Sequence, residues 1–375
     1  MLSPRDFFNL LQDNQVCFFA GVPDSLLKSI CAYITDHSSP ENHIIAANEG
    51  SAVGLAAGYY LATGKIPVVY MQNSGIGNAV NPLMSLVDKE VYQIPMLLLI
   101  GWRGEPNVKD EPQHKKQGKV TIPMLETMGI KNMILSADQG EFETQLSEAL
   151  HYMETTKEPV AFIIRKDTFE HYDLQKNVQV DYPMMRETAI RTVVDSMSEN
   201  SVVVSTTGMI SRELFEYRAL FHQGHERDFL TVGSMGHASQ IALSIAIQAK
   251  DKRVYCLDGD GAVIMHLGSL ATIGSMKPTN FVHIVFNNGA HDSVGGQPTV
   301  GFLIDMPAIA LSCGYTFAAS VQEKHELAEM LKGLQKVTGP AFIEVKVAKG
   351  SRKDLGRPAI TPVQNKLDFM QWLQL

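Results

Sequence analysis

The chain has 375 residues, 45% of them hydrophobic, and a formal net charge of −8 at pH 7. The length favours two domains or more, and the composition is ordinary for a soluble α/β protein. The acidic balance argues against nucleic acid as the main partner, because phosphate contacts need clustered Lys and Arg.

The sequence predicts neither a membrane protein nor a secreted one. It contains no apolar run long enough for a transmembrane helix, and its N-terminal residues are too polar for a signal peptide. The four cysteines are too far apart for a C-x-x-C pair. We therefore expect a reduced, cytoplasmic protein.

Apolar segments alternate with helical patterns through the first half of the chain. Short runs rich in Val and Ile predict buried strands at residues 16–20, 43–47, 66–71, 96–100, 132–135 and 160–165. Helical patterns lie between them, for example at residues 26–35 and 51–63. This alternation favours a doubly wound α/β fold, in which helices cover both faces of a parallel sheet.

The second half repeats this organisation after a polar stretch. We predict a first domain at residues 1–168, a linker at 169–184 and a second domain at 185–375. The predicted strands of the second domain are residues 202–205, 229–232, 254–257, 281–286 and 341–347. Both halves end with a helical pattern, a proline and an apolar strand, which suggests two domains of the same architecture.

The most specific motif is Gly259-Asp260-Gly261, which comes just after a predicted strand. Asn288 follows the next predicted strand, so the two polar side chains should meet at the carboxyl edge of the sheet. One carboxylate and one amide oxygen suit a hard cation such as Mg²⁺. The glycines allow the backbone to approach a ligand closely, and the amides of Gly261 and Ala262 open a helix, where phosphate is favoured.

Gly-Asp-Gly followed by Asn-Asn resembles the signature of thiamine-diphosphate-dependent enzymes. The resemblance implies that Asp260, Asn288 and the backbone carbonyl of Ala290 ligate Mg²⁺. Asn287 is the alternative to Asn288. The implied cofactors are thus thiamine diphosphate and Mg²⁺.

Two further segments of the second half fit this family. Residues 231–236 resemble the loop that holds the aminopyrimidine ring. Met235 would bend the cofactor, and the Gly233 carbonyl would accept a hydrogen bond from its 4′-amino group. Thr207 follows the first strand of this half and would add a polar rim to the cofactor or substrate site. An N-capped helix is the structural alternative for that segment.

Glu49 is the predicted activating carboxylate. Enzymes of this family need a carboxylate against the pyrimidine N1′, where it promotes removal of the proton from C2 of the thiazolium ring. Glu49 lies between a predicted buried strand and a helix of small residues. In the family, this carboxylate and the diphosphate site of one cofactor come from different subunits. The resemblance therefore implies a homo-oligomer, a dimer or larger, with active sites at subunit interfaces.

Within the family, the chain resembles the small 2-oxoacid decarboxylases that act on phosphonopyruvate or sulfopyruvate. The matching segments are residues 21–25, 48–50, 72–75, 110–114, 234–238 and 288–299. The fusion of both halves in one chain favours phosphonopyruvate. The implied reaction converts 3-phosphonopyruvate into phosphonoacetaldehyde and CO₂, in phosphonate biosynthesis, with sulfopyruvate decarboxylation as the alternative.

Both substrates carry a second anionic group, so we expect a locally positive pocket. Substrate contacts are expected from Ser25, Asn73, Ser74, His114, Gln297 and Thr299. A basic loop is expected around His114, formed with Lys109, Lys115, Lys116 and Lys119. Besides Glu49, the candidates for proton transfer are Asp24, His114 and His291, with a helix N-cap as the alternative for Asp24.

Other functions fit the sequence less well. An acetolactate-type carboligase would need a middle domain for which the chain has no room. Loss of Glu49 or Asp260 would mark a non-catalytic cofactor-binding or regulatory subunit, and both residues are present. A dinucleotide site at residues 75–80 lacks the third glycine and a ribose-binding acid. The glycine-rich stretch 289–301 is the predicted lid over the substrate.

Overall fold

The computed structural model describes residues 1–176 and 182–374. The chain divides into two compact units, Met1–Val178 with Ser293–Gln297, and Gln179–Asp292 with Pro298–Leu375. Residues 177–181 belong to the predicted linker and lie outside the described residues. Among the described residues, no helix is both long and apolar enough to cross a membrane.

The first unit is a parallel sheet of six described strands with helices on both faces. Its strands are β1 (Phe19–Gly21), β2 (His43–Ile45), β3 (Val68–Gln72), β4 (Leu97–Gly101), β5 (Lys131–Ile134) and β6 (Val160–Ile164), in the order β2-β1-β3-β4-β6-β5. Its helices are α1 (Pro4–Asp13), α2 (Lys28–His37), α3 (Glu49–Thr63), α4 (Ile76–Ser85), α5 (Pro112–Thr127) and α6 (Gln139–Thr156).

The second unit has the same architecture. Its described strands are β7 (Ser201–Ser205), β8 (Asp228–Leu230), β9 (Arg253–Gly259), β10 (Phe281–Asn287), β11 (Phe317–Val321) and β12 (Ala341–Lys346), in the order β11-β12-β10-β9-β7-β8. Its helices are α7 (Arg186–Ser196), α8 (Met209–Leu220), α9 (Ala238–Gln248), α10 (Asp260–Met265), α11 (Ser269–Met276), α12 (Met306–Ser312), α13 (Lys324–Leu334) and α14 (Pro362–Leu373).

Strand β4 shows why the sheet of the first unit is covered on both faces. In β4, Leu97 and Leu99 join one apolar cluster, whereas Leu98 and Ile100 join the cluster on the other face. Successive side chains of a strand point to opposite faces, so a strand that is apolar throughout needs helices on both sides. The predicted fold of two doubly wound parallel-sheet domains is confirmed.

The structure differs from the sequence expectations at two places. Strand β11 was not predicted, because Phe317–Val321 is a short edge strand whose side chains are mostly half-exposed and include small residues. The basic loop around His114 is instead the start of helix α5, which begins at Pro112, a residue whose fixed φ suits the first helical turn. Helix α5 buries His114, Gly118, Thr121 and Leu125 on one face and leaves Lys115, Lys116 and Lys119 exposed.

Stability of the first unit should depend on the neutral form of His43. Its Nε2 lies 2.8 Å from the Tyr70 hydroxyl, and burial, helped by the charge of Lys176, lowers its pKa from 6.5 to about 4. Between pH 6.5 and about pH 4, His43 binds a proton in the unfolded chain but not in the folded chain. The free energy of unfolding therefore keeps its full His43 contribution above pH 6.5 and loses it as the pH falls towards 4. We expect a loss of about 2 kcal/mol between pH 7.5 and 5.

Urea unfolding at these two pH values tests the contribution of His43. The His43→Gln variant, which can keep a hydrogen bond to Tyr70, should lose less stability on acidification than the wild type. A matched change at the exposed His151 should leave the pH dependence unaltered. Equal pH dependence in the wild type and His43→Gln would contradict the assignment.

Candidate active site

Strand ends in the second unit bring the predicted metal ligands to one edge of the sheet. Strands β9 and β10 are parallel neighbours. Asp260 begins helix α10 directly after β9, and Asn288 directly follows β10. Both side chains are buried, and Ala290 lies nearby in the chain with only 9% of its surface exposed. The carboxyl ends of neighbouring parallel strands are the usual position of ligand sites in such sheets.

The surroundings of Asp260 fit a divalent cation. Thr299 Oγ1 donates a hydrogen bond to Asp260 Oδ2, and a Cβ on Gly301 would lie 2.7 Å from the same oxygen. Burial raises the pKa of Asp260 to about 6, against the opposing effect of the Thr299 hydrogen bond. Within the described part of the chain, no basic side chain forms an ion pair with Asp260. A buried carboxylate without a cationic partner is costly, and a bound cation such as Mg²⁺ would supply that partner.

The two adjacent asparagines differ in their hydrogen bonds. Asn287 is fully buried and donates from Nδ2 to Glu344 Oε1 at 2.6 Å and to the Gly301 carbonyl at 2.8 Å. Asn288 donates to Asp292 Oδ2 at 2.6 Å and accepts from the Ala290 amide at 3.1 Å. The Nδ2 group of Asn287 thus binds the sheet and the Gly301 loop, and Asn288 stays the predicted ligand with Asn287 as the alternative.

Three predicted cofactor or catalytic residues meet at the start of α10. A Cβ on Gly261 would lie 3.1 Å from His291 Cε1 and 3.4 Å from Met235 Cε. Met235 lies in a tight turn, because the residues on either side of it have positive φ, 53° at Ser234 and 84° at Gly236. Burial lowers the pKa of His291 to about 4, so its imidazole is neutral at neutral pH.

The remaining predicted cofactor contacts lie on adjacent segments. Ala262 is buried in α10. Gly259 is the last residue of β9, and a Cβ added to it would lie 3.6 Å from Ile210 Cδ1. Thr207 and Gly233 are partly exposed and follow β7 and β8. Because β9, β7 and β8 are consecutive in the sheet, these loops share its carboxyl edge.

In the first unit, Glu49 is the first residue of α3 and is only 5% exposed. Asn48 caps the helix by accepting a hydrogen bond from the Ser51 amide. Glu49 Oε2 accepts from Asn78 Nδ2 at 2.7 Å, and a Cβ on Gly75 would lie 2.3 Å from Oε1. Sequence reasoning did not identify Asn78 or Gly75 as site residues, although both lie in the glycine-containing segment rejected as a dinucleotide motif.

Gly75→Ala is expected to reduce activity while the chain still folds. The added methyl group would collide with the Glu49 carboxylate and push it out of position. A carboxylate that no longer reaches its acceptor loses most of its general acid–base contribution, about 100-fold in rate. Gly77→Ala is the matched control, because a Cβ there meets nothing within 4 Å. Equal activity of both variants in a steady-state assay would argue against this contact.

Asp24 lies at the carboxyl end of β1 and is completely buried. Its Oδ2 accepts from the Leu26 amide at 2.9 Å, and its Oδ1 accepts from Gln72 Nε2 at 2.6 Å. Ser74 is exposed and donates to Gln72 Oε1 at 2.7 Å. Asp24 thus closes the turn before α2, and its role in proton transfer stays a prediction.

A hydrogen-bond network next to Asp24 contains other predicted substrate residues. Arg103 donates from Nη1 to Ser25 Oγ at 2.7 Å and from Nε to Asp110 Oδ2 at 2.8 Å. His114 is buried, with Nδ1 lying 3.0 Å from Asp110 Oδ1. Asn73 holds the backbone of Arg103, since its Nδ2 donates to the Arg103 carbonyl and its Oδ1 accepts from the Arg103 amide. Arg103 was not identified from the sequence.

The two predicted substrate residues of the glycine-rich stretch have different surroundings. The hydroxyl of Thr299 donates a hydrogen bond to Asp260, the candidate metal ligand, and its role in substrate binding stays a prediction. Gln297 is fully buried, and neither Nε2 nor Oε1 has a hydrogen-bond partner among the described residues. A short 3₁₀ helix, Asp292–Val294, lies within the stretch predicted as a lid.

A second buried group of metal-binding residue types lies within the sheet of the second unit. The ligand atoms of Cys256, Asp258 and His283 lie within 4.8 Å of one another. His283 is already placed between Asp258 Oδ2 at 3.4 Å and the Tyr315 hydroxyl at 3.2 Å, and burial raises the pKa of the Cys256 thiol well above its usual value. Asp260 is not a member of this group.

Comparison with known proteins identifies the class. Residues 5–134 match the N-terminal TPP binding domain of thiamine pyrophosphate enzymes, and residues 206–345 match the C-terminal TPP binding domain. The chain belongs to the thiamine pyrophosphate enzyme family. Thiamine pyrophosphate is thiamine diphosphate, so the predicted cofactor is confirmed, with Mg²⁺ as its usual metal partner in this family.

Three curated relatives that match nearly the whole chain are decarboxylases. It is 31% identical to a phosphonopyruvate decarboxylase of Streptomyces viridochromogenes, over 97% of this chain and 93% of the relative. A phosphonopyruvate decarboxylase of Streptomyces hygroscopicus is 33% identical, with 96% and 92% covered. A sulfopyruvate decarboxylase of Methanosarcina acetivorans is 26% identical, with 91% and 90% covered.

Proposed function

We propose that the protein decarboxylates 3-phosphonopyruvate to phosphonoacetaldehyde and CO₂, as a step of phosphonate biosynthesis. The observation that carries the proposal is the likeness to two phosphonopyruvate decarboxylases over nearly the whole chain. Glu49 and Asp260 are both buried, and they would supply the two carboxylates that this chemistry requires.

The second unit would hold the cofactor. Asp260, Asn288 and the carbonyl of Ala290 would bind Mg²⁺, and the amides of Gly261 and Ala262 would face the diphosphate. Thiamine diphosphate, when bound, supplies an electron sink for the pair that is left when CO₂ departs.

The first unit would supply the activating acid. Glu49 would hold a proton at the pyrimidine N1′, and Asn78 and Gly75 keep its carboxylate in one orientation. Asp24, His114 and His291 are the candidates that deliver the proton to the product. The neutral imidazole of His291 can accept or donate a hydrogen bond without a change in charge.

The enzyme would work as a homo-oligomer, a dimer or larger, with active sites at subunit interfaces. Mixing an inactive Glu49→Gln chain with an inactive Asp260→Asn chain tests this arrangement. Recovery of activity in the mixture is expected if each site takes Glu49 from one subunit and Asp260 from another. No recovery on subunit exchange would argue against shared sites.

Sulfopyruvate is the alternative substrate, because a sulfopyruvate decarboxylase matches 91% of the chain. The proposal is tested by measuring CO₂ release from 3-phosphonopyruvate, sulfopyruvate and pyruvate, with cofactor and Mg²⁺ present or withheld. Strong preference for 3-phosphonopyruvate, lost without the cofactor, is the expected result. Preference for sulfopyruvate would change the assigned anion, and no release from any substrate would reject the proposed reaction.

A further inference from the structure

We infer that Arg103, together with Ser25, binds the second anionic group of the substrate, and that Asp110 positions Arg103 for this role. The inference rests on the proposed function and assigns the phosphonate or sulfonate group to named atoms of the first unit. The lysines expected from the sequence to bind this group are exposed, whereas Arg103, which also follows a strand of this sheet, has only 19% of its side chain exposed.

The position of Arg103 favours a ligand contact. Arg103 follows β4, Ser25 follows β1, and strand β3 lies between those two strands in the sheet. Gly75, which packs against the Glu49 carboxylate, follows β3. The Arg103 network and Glu49 therefore share the carboxyl edge of one parallel sheet, where ligands bind in α/β proteins.

Asp110 holds the guanidinium in a fixed orientation. Nε and Nη2 of Arg103 bind the two oxygens of the Asp110 carboxylate. Asp110 also accepts from the amides of Gly104 and Glu111, each at 2.7 Å, and pairs with His114. These bonds, led by that of Arg103, lower the pKa of Asp110 against the effect of burial, so the carboxylate stays charged. A carboxylate that accepts this many hydrogen bonds is itself fixed in position, and it therefore holds the Arg103 guanidinium in one orientation.

The remaining donors of Arg103 suit an oxyanion. A guanidinium carries five N–H groups in one plane. The bonds to Asp110 and Ser25 use three of them among the described residues, and 19% of the side chain is exposed. A fixed guanidinium next to a hydroxyl matches the planar, multidentate recognition of phosphonate or sulfonate oxygens.

A second observation also favours binding of a polar ligand near helix α2. The amide atoms Oε1 and Nε2 of Gln297 would lie 2.8 and 3.0 Å from a Cβ on Gly295, which would itself lie 3.2 Å from Lys28 Cβ. Lys28 begins α2, the helix that follows Ser25, and Gly295 and Gln297 belong to the same compact unit. A buried amide without partners is costly, and a polar ligand that binds it would remove the cost.

The test compares Arg103→Gln with Arg165→Gln. Arg165 is the matched control, because it directly follows β6 of the same sheet and is also ion-paired, to Glu105, but lies outside the Arg103 network. For Arg103→Gln, we expect kcat/KM for 3-phosphonopyruvate to fall about 100-fold, mainly through KM, because a charge-assisted bidentate contact is lost. The kcat/KM for pyruvate, which has no second anion, should change by less than about threefold.

A binding measurement makes the inference independent of turnover. Calorimetry with 3-phosphonopropionate, an unreactive compound with both anions, should show binding to the wild type and to Arg165→Gln. Binding to Arg103→Gln should be about 100-fold weaker. The double variant Arg103→Gln/Asp110→Asn also removes the carboxylate charge that Arg103 balances and should keep the same loss of binding, which separates anion recognition from local unfolding.

Equal losses on pyruvate and 3-phosphonopyruvate, or unchanged binding of 3-phosphonopropionate by Arg103→Gln, would overturn the inference and leave Arg103 a structural residue. These results differ from failure of the proposed function, in which the wild-type enzyme itself releases no CO₂ from 3-phosphonopyruvate or sulfopyruvate. Absence of 3-phosphonopropionate binding to the wild type would also overturn the inference.

Discussion

Glu49→Gln is expected to lower the rate of decarboxylation by at least about 100-fold while binding of thiamine diphosphate is retained. Glutamine has the same shape and can present an amide oxygen to Asn78 Nδ2, which now binds Glu49 Oε2 at 2.7 Å. It cannot, however, exchange a proton with the pyrimidine ring. The local packing against Gly75 should survive, so the loss should appear in kcat and not in folding.

The measurement is steady-state CO₂ release together with cofactor titration by calorimetry. Glu126→Gln, an exposed glutamate of helix α5, is the matched control and should behave as the wild type. Undiminished turnover of Glu49→Gln would remove Glu49 from the role of activating acid. Loss of cofactor binding in that variant would instead assign it a role in holding the cofactor.

Asp260→Asn is expected to weaken Mg²⁺-dependent binding of thiamine diphosphate by at least about 100-fold, because a direct ligand should contribute more than the groups that orient it. The same change removes a buried carboxylate that lacks a cationic partner among the described residues. The apoprotein should therefore be at least as stable as the wild type. This combination distinguishes a ligand from a structural residue, whose loss would destabilise both forms.

Thermal unfolding with and without Mg²⁺ and thiamine diphosphate provides the readout. The cofactor should raise the Tm of the wild type and of Asp251→Asn, an exposed control in the turn before β9, but not the Tm of Asp260→Asn. An equal rise in all three proteins would exclude Asp260 as a ligand. A lower Tm of the Asp260→Asn apoprotein would indicate a structural role.

The candidate cofactor site could be predicted from the sequence because it consists of residue types that directly follow strands. Asp260 and Asn288 come after two adjacent apolar runs, and parallel neighbours in a sheet bring such positions together. Glu49 was predicted as a site residue for the same reason, because it lies at the junction of a strand and a helix of small residues. Their assigned roles remain predictions that the variants above test.

The contacts that orient Glu49 and Asp260 could not be predicted from local sequence patterns. Asn78 and Gly75 are separated from Glu49 by strand β3, and no local pattern shows that a helix and a glycine will meet its carboxylate. Thr299 lies in a glycine-rich stretch that suggested a substrate contact, yet its hydroxyl binds Asp260. Such pairings depend on how loops fold over the strand ends, which short-range sequence patterns do not encode.

By itself, the sequence determined the class of fold, the cofactor and the family, because apolar periodicity and the Gly-Asp-Gly motif are local properties of the chain. The tertiary structure alone decided which charged groups are buried together. It left the lysines of α5 exposed and placed Arg103 between Ser25 and Asp110. The physical reason is that burial and ion pairing depend on long-range packing, and residues 25, 103 and 110 meet only when strands β1 and β4 enter the same sheet.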